Sequence, residues 1–113
     1  MSDALEITTE QRKTLTALLQ RFIPDVAVWA YGSRIKGTAR PNSDLDLVAF
    51  TRPEQRFLVS LLNDELAENS NIPFIVELHI WDEIPQHFRE IIGKQYVVLQ
   101  EVPEKRTGYG NPL

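Results

Sequence analysis

The sequence contains no cysteine. That excludes disulfide staples, thiolate zinc sites and a cysteine nucleophile together, and makes a reducing cytoplasm the expected setting. No run of about 18 apolar residues occurs. The opening MSDALEITTEQRK carries acids and threonines where a targeting segment would place basic and then apolar residues. Neither secretion nor membrane insertion is expected. Internal repeats, heptads and low-complexity segments are lacking too. Positive charge is not in excess: 12 Lys and Arg stand against 16 Asp and Glu, a net charge of -4, which disfavours direct binding along a nucleic-acid backbone.

What is present is 113 residues, 42% hydrophobic and 25% charged, the composition of one ordinary globular domain. A domain of this size can build a core without staples but has little surface left for enclosing a large substrate unaided. Leu15, Leu18, Leu19, Phe22 and Ile23 recur at helical spacing, and Thr8 with Gln11 forms a candidate capping box, so a first helix is predicted from about Thr9 to Phe22. Val26 to Tyr31 reads as a buried strand ended by Gly32, with Trp29 and Tyr31 as core aromatics. Residues 33–43, SRIKGTARPNS, read as a loop that opens with one helical turn. Asp44 to Phe50 is a second strand with one wet face at its start. A second helix follows Pro53, with Phe57, Leu58, Leu61, Leu62 and Leu66 as its buried stripe. Pro73 to Ile80 is a third strand carrying Glu77 and His79 on one face. A last helix starts near Pro85, buries Phe88, Ile91 and Ile92 and stops at Gly93; Tyr96 to Leu99 is a short strand or helix extension. The fold class is therefore α/β or α+β, with few strands. Residues 1–100 form the domain and residues 101–113 a Pro- and Gly-containing tail.

Charge is distributed unevenly where it matters. Between Gly32 and Ser43 stand three cations, Arg34, Lys36 and Arg40, and no acid; Asp44 and Asp46 follow at once. Carboxylates at i and i+2 of a strand project to one side, within reach of one divalent cation. Hard oxygen ligands suit Mg²⁺, which completes its octahedron with water and phosphate oxygens. A third acid on a neighbouring strand would let two ions sit roughly 3.5 to 4 Å apart and clamp an in-line displacement. Glu77 is the best candidate. Gly32 directly after a buried strand allows backbone to approach a ligand closely, and Ser33 beginning a helical turn offers an amide and a hydroxyl to a phosphate. Arg34 and Lys36 are either triphosphate contacts or solvated loop cations. Ser43 either orients the loop or caps a turn. His79 borders the acids but is read as a polar filler, His87 as helix surface, and Trp81 is left open.

The segment GSRIKGTARPNSDLDL resembles the signature of DNA polymerase β-like nucleotidyltransferases, Gly-Ser followed about ten residues later by Asp-x-Asp. The resemblance is to their minimal nucleotidyltransferase (MNT) domains. It extends over roughly residues 8–100, through VAVWAY and IPFIVELHIWDEIPQHFREIIGKQYVVL. It implies a small mixed β-sheet packed against helices, Gly32 and Ser33 at a nucleoside triphosphate, and Asp44, Asp46 and Glu77 as metal ligands and catalytic groups. Arg34, Lys36 and Ser43 fall within the implied nucleotide-binding loop. Glu77 departs from the family's usual Asp, placing its carboxylate one methylene further out. The implied chemistry is Mg²⁺-dependent transfer of AMP from ATP to a hydroxyl, with pyrophosphate leaving. MNT domains are typically antitoxins of small helical HEPN ribonuclease toxins, modifying a toxin tyrosine, so a HEPN partner and a hetero-oligomer are implied. Two alternatives stand: a catalytically silent subunit that inhibits its HEPN partner by docking alone, and an aminoglycoside-type small-molecule nucleotidyltransferase.

Overall fold

In a computed structural model, residues 5–102 are described. Helix α1 runs from Thr9 to Phe22, as the capping pattern predicts. The Gln11 amide donates to the Thr8 hydroxyl at 3.0 Å and the Thr8 amide donates to the Gln11 side-chain oxygen at 2.9 Å, satisfying two donors that the first helical turn leaves unpaired. Strand β1, Ala27–Tyr31, leads through Gly32 into a single helical turn, α2, Ser33–Lys36. Strand β2 is Leu45–Phe50, helix α3 Arg56–Asn69, strand β3 Val76–Ile80, helix α4 Gln86–Lys94 and strand β4 Val97–Gln100. The predicted strands are each trimmed at their start; the third loses Pro73 to Ile75, where proline cannot donate to a ladder.

The four strands form one mixed sheet in the order β3-β2-β1-β4. β1 pairs antiparallel with both β2 and β4, whereas β2 and β3 run parallel with α3 as the crossover between them. Alternation along β2 puts Leu45, Leu47 and Ala49, all at 0% exposure, on one face. Val28 and Ala30 lie beside them on β1, and Val76, Leu78 and Ile80 beside them on β3. Leu15 and Leu19 of α1 and Val59, Leu62 and Leu66 of α3 join these in one apolar core. Gln100 closes the far edge: its buried side-chain amide donates to the carbonyls of Ile23 and Val26, both at 2.8 Å, tying β4 to the turn between α1 and β1.

Two predicted stripes are rotated. On α3, Phe57 is 62% and Leu61 49% exposed, while Val59 is buried in their place. The segment RFLVSLLNDEL is apolar around most of its circumference, so spacing alone does not choose the face that meets the sheet. On α4, Ile92 is buried, but Phe88 and Ile91 are exposed, and the helix continues through Gly93 to Lys94. Among the described residues no helix is long and apolar enough to cross a membrane. Residues 103–113 of the expected tail lie outside the described residues.

Candidate active site

The second face of the sheet carries the chemistry. Strand register sets Tyr31 opposite Asp46 and Asp46 opposite Glu77, so three side chains from β1, β2 and β3 form a row across the sheet. His79 stands two residues beyond Glu77 on the same face. One ligand atom from each of Asp46, Glu77 and His79 lies within 4.8 Å of the others. Asp44 is exposed two residues ahead of Asp46 and lies outside this group, though its charge still bears on Asp46. The clustered set thus differs from the expected Asp44, Asp46 and Glu77 in two ways: it contains His79, which sequence alone read as a polar filler, and it leaves out Asp44.

Burial raises the Asp46 carboxyl above the ordinary carboxylate range; the facing His79 opposes that shift, and the charges of Glu77 and Asp44 add to it. Tyr31 behaves alike: burial, then Asp46 and Glu77, push its phenol up to about 12. The phenol is therefore neutral at physiological pH, and its contribution to folding is lost as pH climbs from its ordinary value of 10.0 toward 12. A cation would relieve both the desolvation and the mutual repulsion of these acids, and the donor set of hard carboxylate oxygens fits a divalent metal.

Gly32 is fixed by this row. Its φ of +92° is a conformation glycine tolerates, and a Cβ there would stand 2.8 Å from the Asp46 Oδ2. The glycine therefore brings main chain against the central carboxylate. From it α2 begins, with the Ile35 amide donating to the Gly32 carbonyl at 3.1 Å. Ser33 opens that turn and is half-buried; Lys36 at its end is exposed.

Arg34 is corrected by the structure. It is 6% exposed, and its guanidinium donates to the carbonyls of Glu6, Arg40, Pro41 and Ser43 at 2.8 to 3.2 Å while lying 3.7 Å over the Phe74 ring. It is neither a solvated cation nor aimed at a triphosphate; it folds the loop before Asp44 into place. Ser43 serves the same loop, its hydroxyl accepting from the Arg40 amide at 2.8 Å. Sequence reasoning missed Asn63 altogether. From α3 its side-chain amide both donates to the Leu78 carbonyl and accepts from the Leu78 amide, each at 3.0 Å, which fixes the outer edge of β3 between Glu77 and His79. No periodicity marks such a residue.

At the other end of this face, Trp29 stacks on Tyr96 at 3.8 Å and meets Phe50 edge-on at 4.5 Å, and Phe50 lies 4.8 Å from Trp81. Trp81 thereby belongs to an aromatic group beside Val48, which is 0% exposed. His87 is exposed on α4, as expected.

Residues 11–105 match the nucleotidyltransferase domain family, and the chain belongs to that family. It is a nucleotidyltransferase of minimal size. The probable protein adenylyltransferase MntA of Haemophilus influenzae is 41% identical over 97 residues, covering 86% of this chain and 85% of that protein. The fold is shared with the crystal structure of a toxin-antitoxin with AMP-PNP, at a TM-score of 0.62 and 22% identity over 80% of this chain and 73% of the other. It is shared also with a complex of a tri-AMPylated Shewanella oneidensis HEPN toxin and MNT antitoxin, at a TM-score of 0.51 and 16% identity over 85% and 74%.

Proposed function

We propose that this chain is the antitoxin of a HEPN ribonuclease toxin and acts in the cytoplasm as a protein adenylyltransferase, moving AMP from ATP to a tyrosine hydroxyl of the toxin. The observation that carries the reading is the row Asp46–Glu77 laid across two parallel strands with the Gly32 main chain pressed against Asp46. The 41% identity to a probable protein adenylyltransferase supports the reaction class. Toxin complexes of the same fold support the partner.

In this reading the amides of Gly32 and Ser33 take the triphosphate. Asp44 and Asp46 would hold Mg²⁺ on the phosphate side, and Asp46 with Glu77 on the acceptor side. Mg²⁺, when bound, neutralises phosphate charge and holds the reacting oxygens in line. Glu77, helped by Asp46, accepts the proton of the incoming hydroxyl. The hydroxyl oxygen bonds to the α-phosphorus while the bond to the bridging oxygen breaks, and pyrophosphate leaves with that electron pair. Arg34, Ser43 and Asn63 act at one remove, by holding the loop and strand that carry the acids. Lys36, exposed at the end of α2, reaches the outer phosphates as a mobile charge.

A second reading, inhibition by docking alone, is favoured by the apolar side chains that α4 exposes beside the site, Phe88 (edge-on to Tyr31 at 6.1 Å) and Ile91. Intact-mass spectrometry of the helical partner after incubation with this chain, ATP and Mg²⁺ separates the two. Transfer adds one or more AMP masses, absent with Asp44→Ala/Asp46→Ala. An unmodified yet inhibited partner in a stable complex leaves docking.

A further inference from the structure

We propose that His79 is a ligand of the cation held between Asp46 and Glu77, and that it makes this position favour a first-row transition ion over Mg²⁺. The inference rests on the nucleotidyltransferase reading of the site and adds a residue that the expected all-carboxylate set does not contain.

The geometry points to a shared ion. His79 Nε2 stands 3.7 Å from Glu77 Oε1, beyond the range of an N–H···O hydrogen bond. Yet one donor atom from each of Asp46, Glu77 and His79 lies within 4.8 Å of the other two. Two ligands on adjacent corners of an octahedron with bonds near 2.1 Å are about 3 Å apart, and opposite corners about 4.2 Å apart. A small rotation of the side chains closes the difference, and both have room for it: the His79 and Glu77 side chains are 44% and 54% exposed. Asp46 has the Gly32 main chain close against it, a Cβ there falling 2.8 Å from its Oδ2. Asn63, bonded on both sides of Leu78, holds the stretch of β3 from which Glu77 and His79 project together.

The donor chemistry then selects the ion. Two carboxylates alone suit Mg²⁺, which binds oxygen and parts reluctantly with water. An imidazole nitrogen adds little for Mg²⁺ and more for divalent ions of the first transition row. Mn²⁺ is the weakest binder of that row, so a preference for Mn²⁺ over Mg²⁺ is the most demanding form of the claim.

Pulsed EPR of the full chain with Mn²⁺ and inorganic tripolyphosphate reads the contact directly, since that polyphosphate contains no nitrogen. The wild-type chain is expected to show ¹⁴N modulation on the Mn²⁺ signal that is lost in His79→Ala and kept in His87→Ala, the sequence holding 2 histidines. Displacing Mn²⁺ with Mg²⁺ is expected to need on the order of tenfold more Mg²⁺ in wild type than in His79→Ala. Mn²⁺ bound without nitrogen modulation, modulation that survives His79→Ala, or an unchanged displacement ratio would each overturn the proposal. AMP transfer, scored separately by mass in Mg²⁺ and again in Mn²⁺, keeps the two claims apart. Transfer without ¹⁴N modulation removes His79 only, whereas ¹⁴N modulation with no transfer in either ion removes the adenylyltransferase reading and leaves the metal site.

Discussion

The two faces of the sheet are built from different materials. Beneath α1 and α3 lie Leu45, Leu47 and Ala49, flanked by Val28, Ala30 and Leu78, aliphatic and almost without exposure. Interleaved with them on the same strands, the other face presents Tyr31, Asp46, Glu77 and His79, with an aromatic group at one end. One face drives folding by removing apolar area from water; the other holds Asp46, whose ionisation is opposed first by burial and then by the charges of Glu77 and Asp44. Because side chains alternate, the one strand β2 serves both faces with different residues. The division explains how so small a domain carries a costly site: the cost falls on side chains that the aliphatic core does not use.

That division fails or sharpens under substitution. Leu47→Ala, on the closed face, should have the largest effect on stability, about 2 to 5 kcal/mol, seen as a fall in melting temperature of about eight degrees or more by roughly 4 to 8 °C per kcal/mol. Arg34→Lys keeps the charge but cannot reach four carbonyls while stacking on Phe74. Urea unfolding should place its loss at about 2 to 3 kcal/mol, with slower transfer because the loop before Asp44 loosens. Gly32→Ala forces a side chain into a backbone conformation that costs about 1 to 3 kcal/mol and displaces the Asp46 carboxylate; AMP transfer should drop on the order of a hundredfold. Phe57→Ser, on the exposed side of α3, should leave the unfolding midpoint within about 0.5 kcal/mol of wild type. A large loss there would mean that Phe57 is packed after all.

Much of the closed face is legible in the sequence. The Thr8–Gln11 capping box, the first helix and the Leu-x-Leu alternation of β2 follow local rules of hydrogen bonding and period, and these elements stand where those rules put them. On α3, apolar around most of its circumference, the buried face depends on what the helix meets, and Phe57 and Leu61 stand exposed; on α4 the apolar residues are Phe88, Ile91 and Ile92, and of these only Ile92 is buried. The acids of the open face were legible through their spacing and the preceding Gly-Ser. Their companions were not. Arg34 and Asn63 act on backbone groups distant in sequence, through contacts that composition does not announce, and His79 joins Asp46 only through the parallel register of β2 and β3.

The Asp46→Asn chain tests the account most directly, because it sets the two faces against each other in one molecule. The folded chain holds the Asp46 proton more tightly than the unfolded chain does, so ionising that carboxyl on the way to neutral pH opposes folding. Removing the charge should therefore raise the melting temperature at pH 7.5, with the gain shrinking as pH falls from the raised Asp46 value toward the ordinary 3.8, while AMP transfer to the helical partner disappears. A chain that melts lower than wild type at pH 7.5, or that melts higher and still transfers AMP at the wild-type rate, would contradict it.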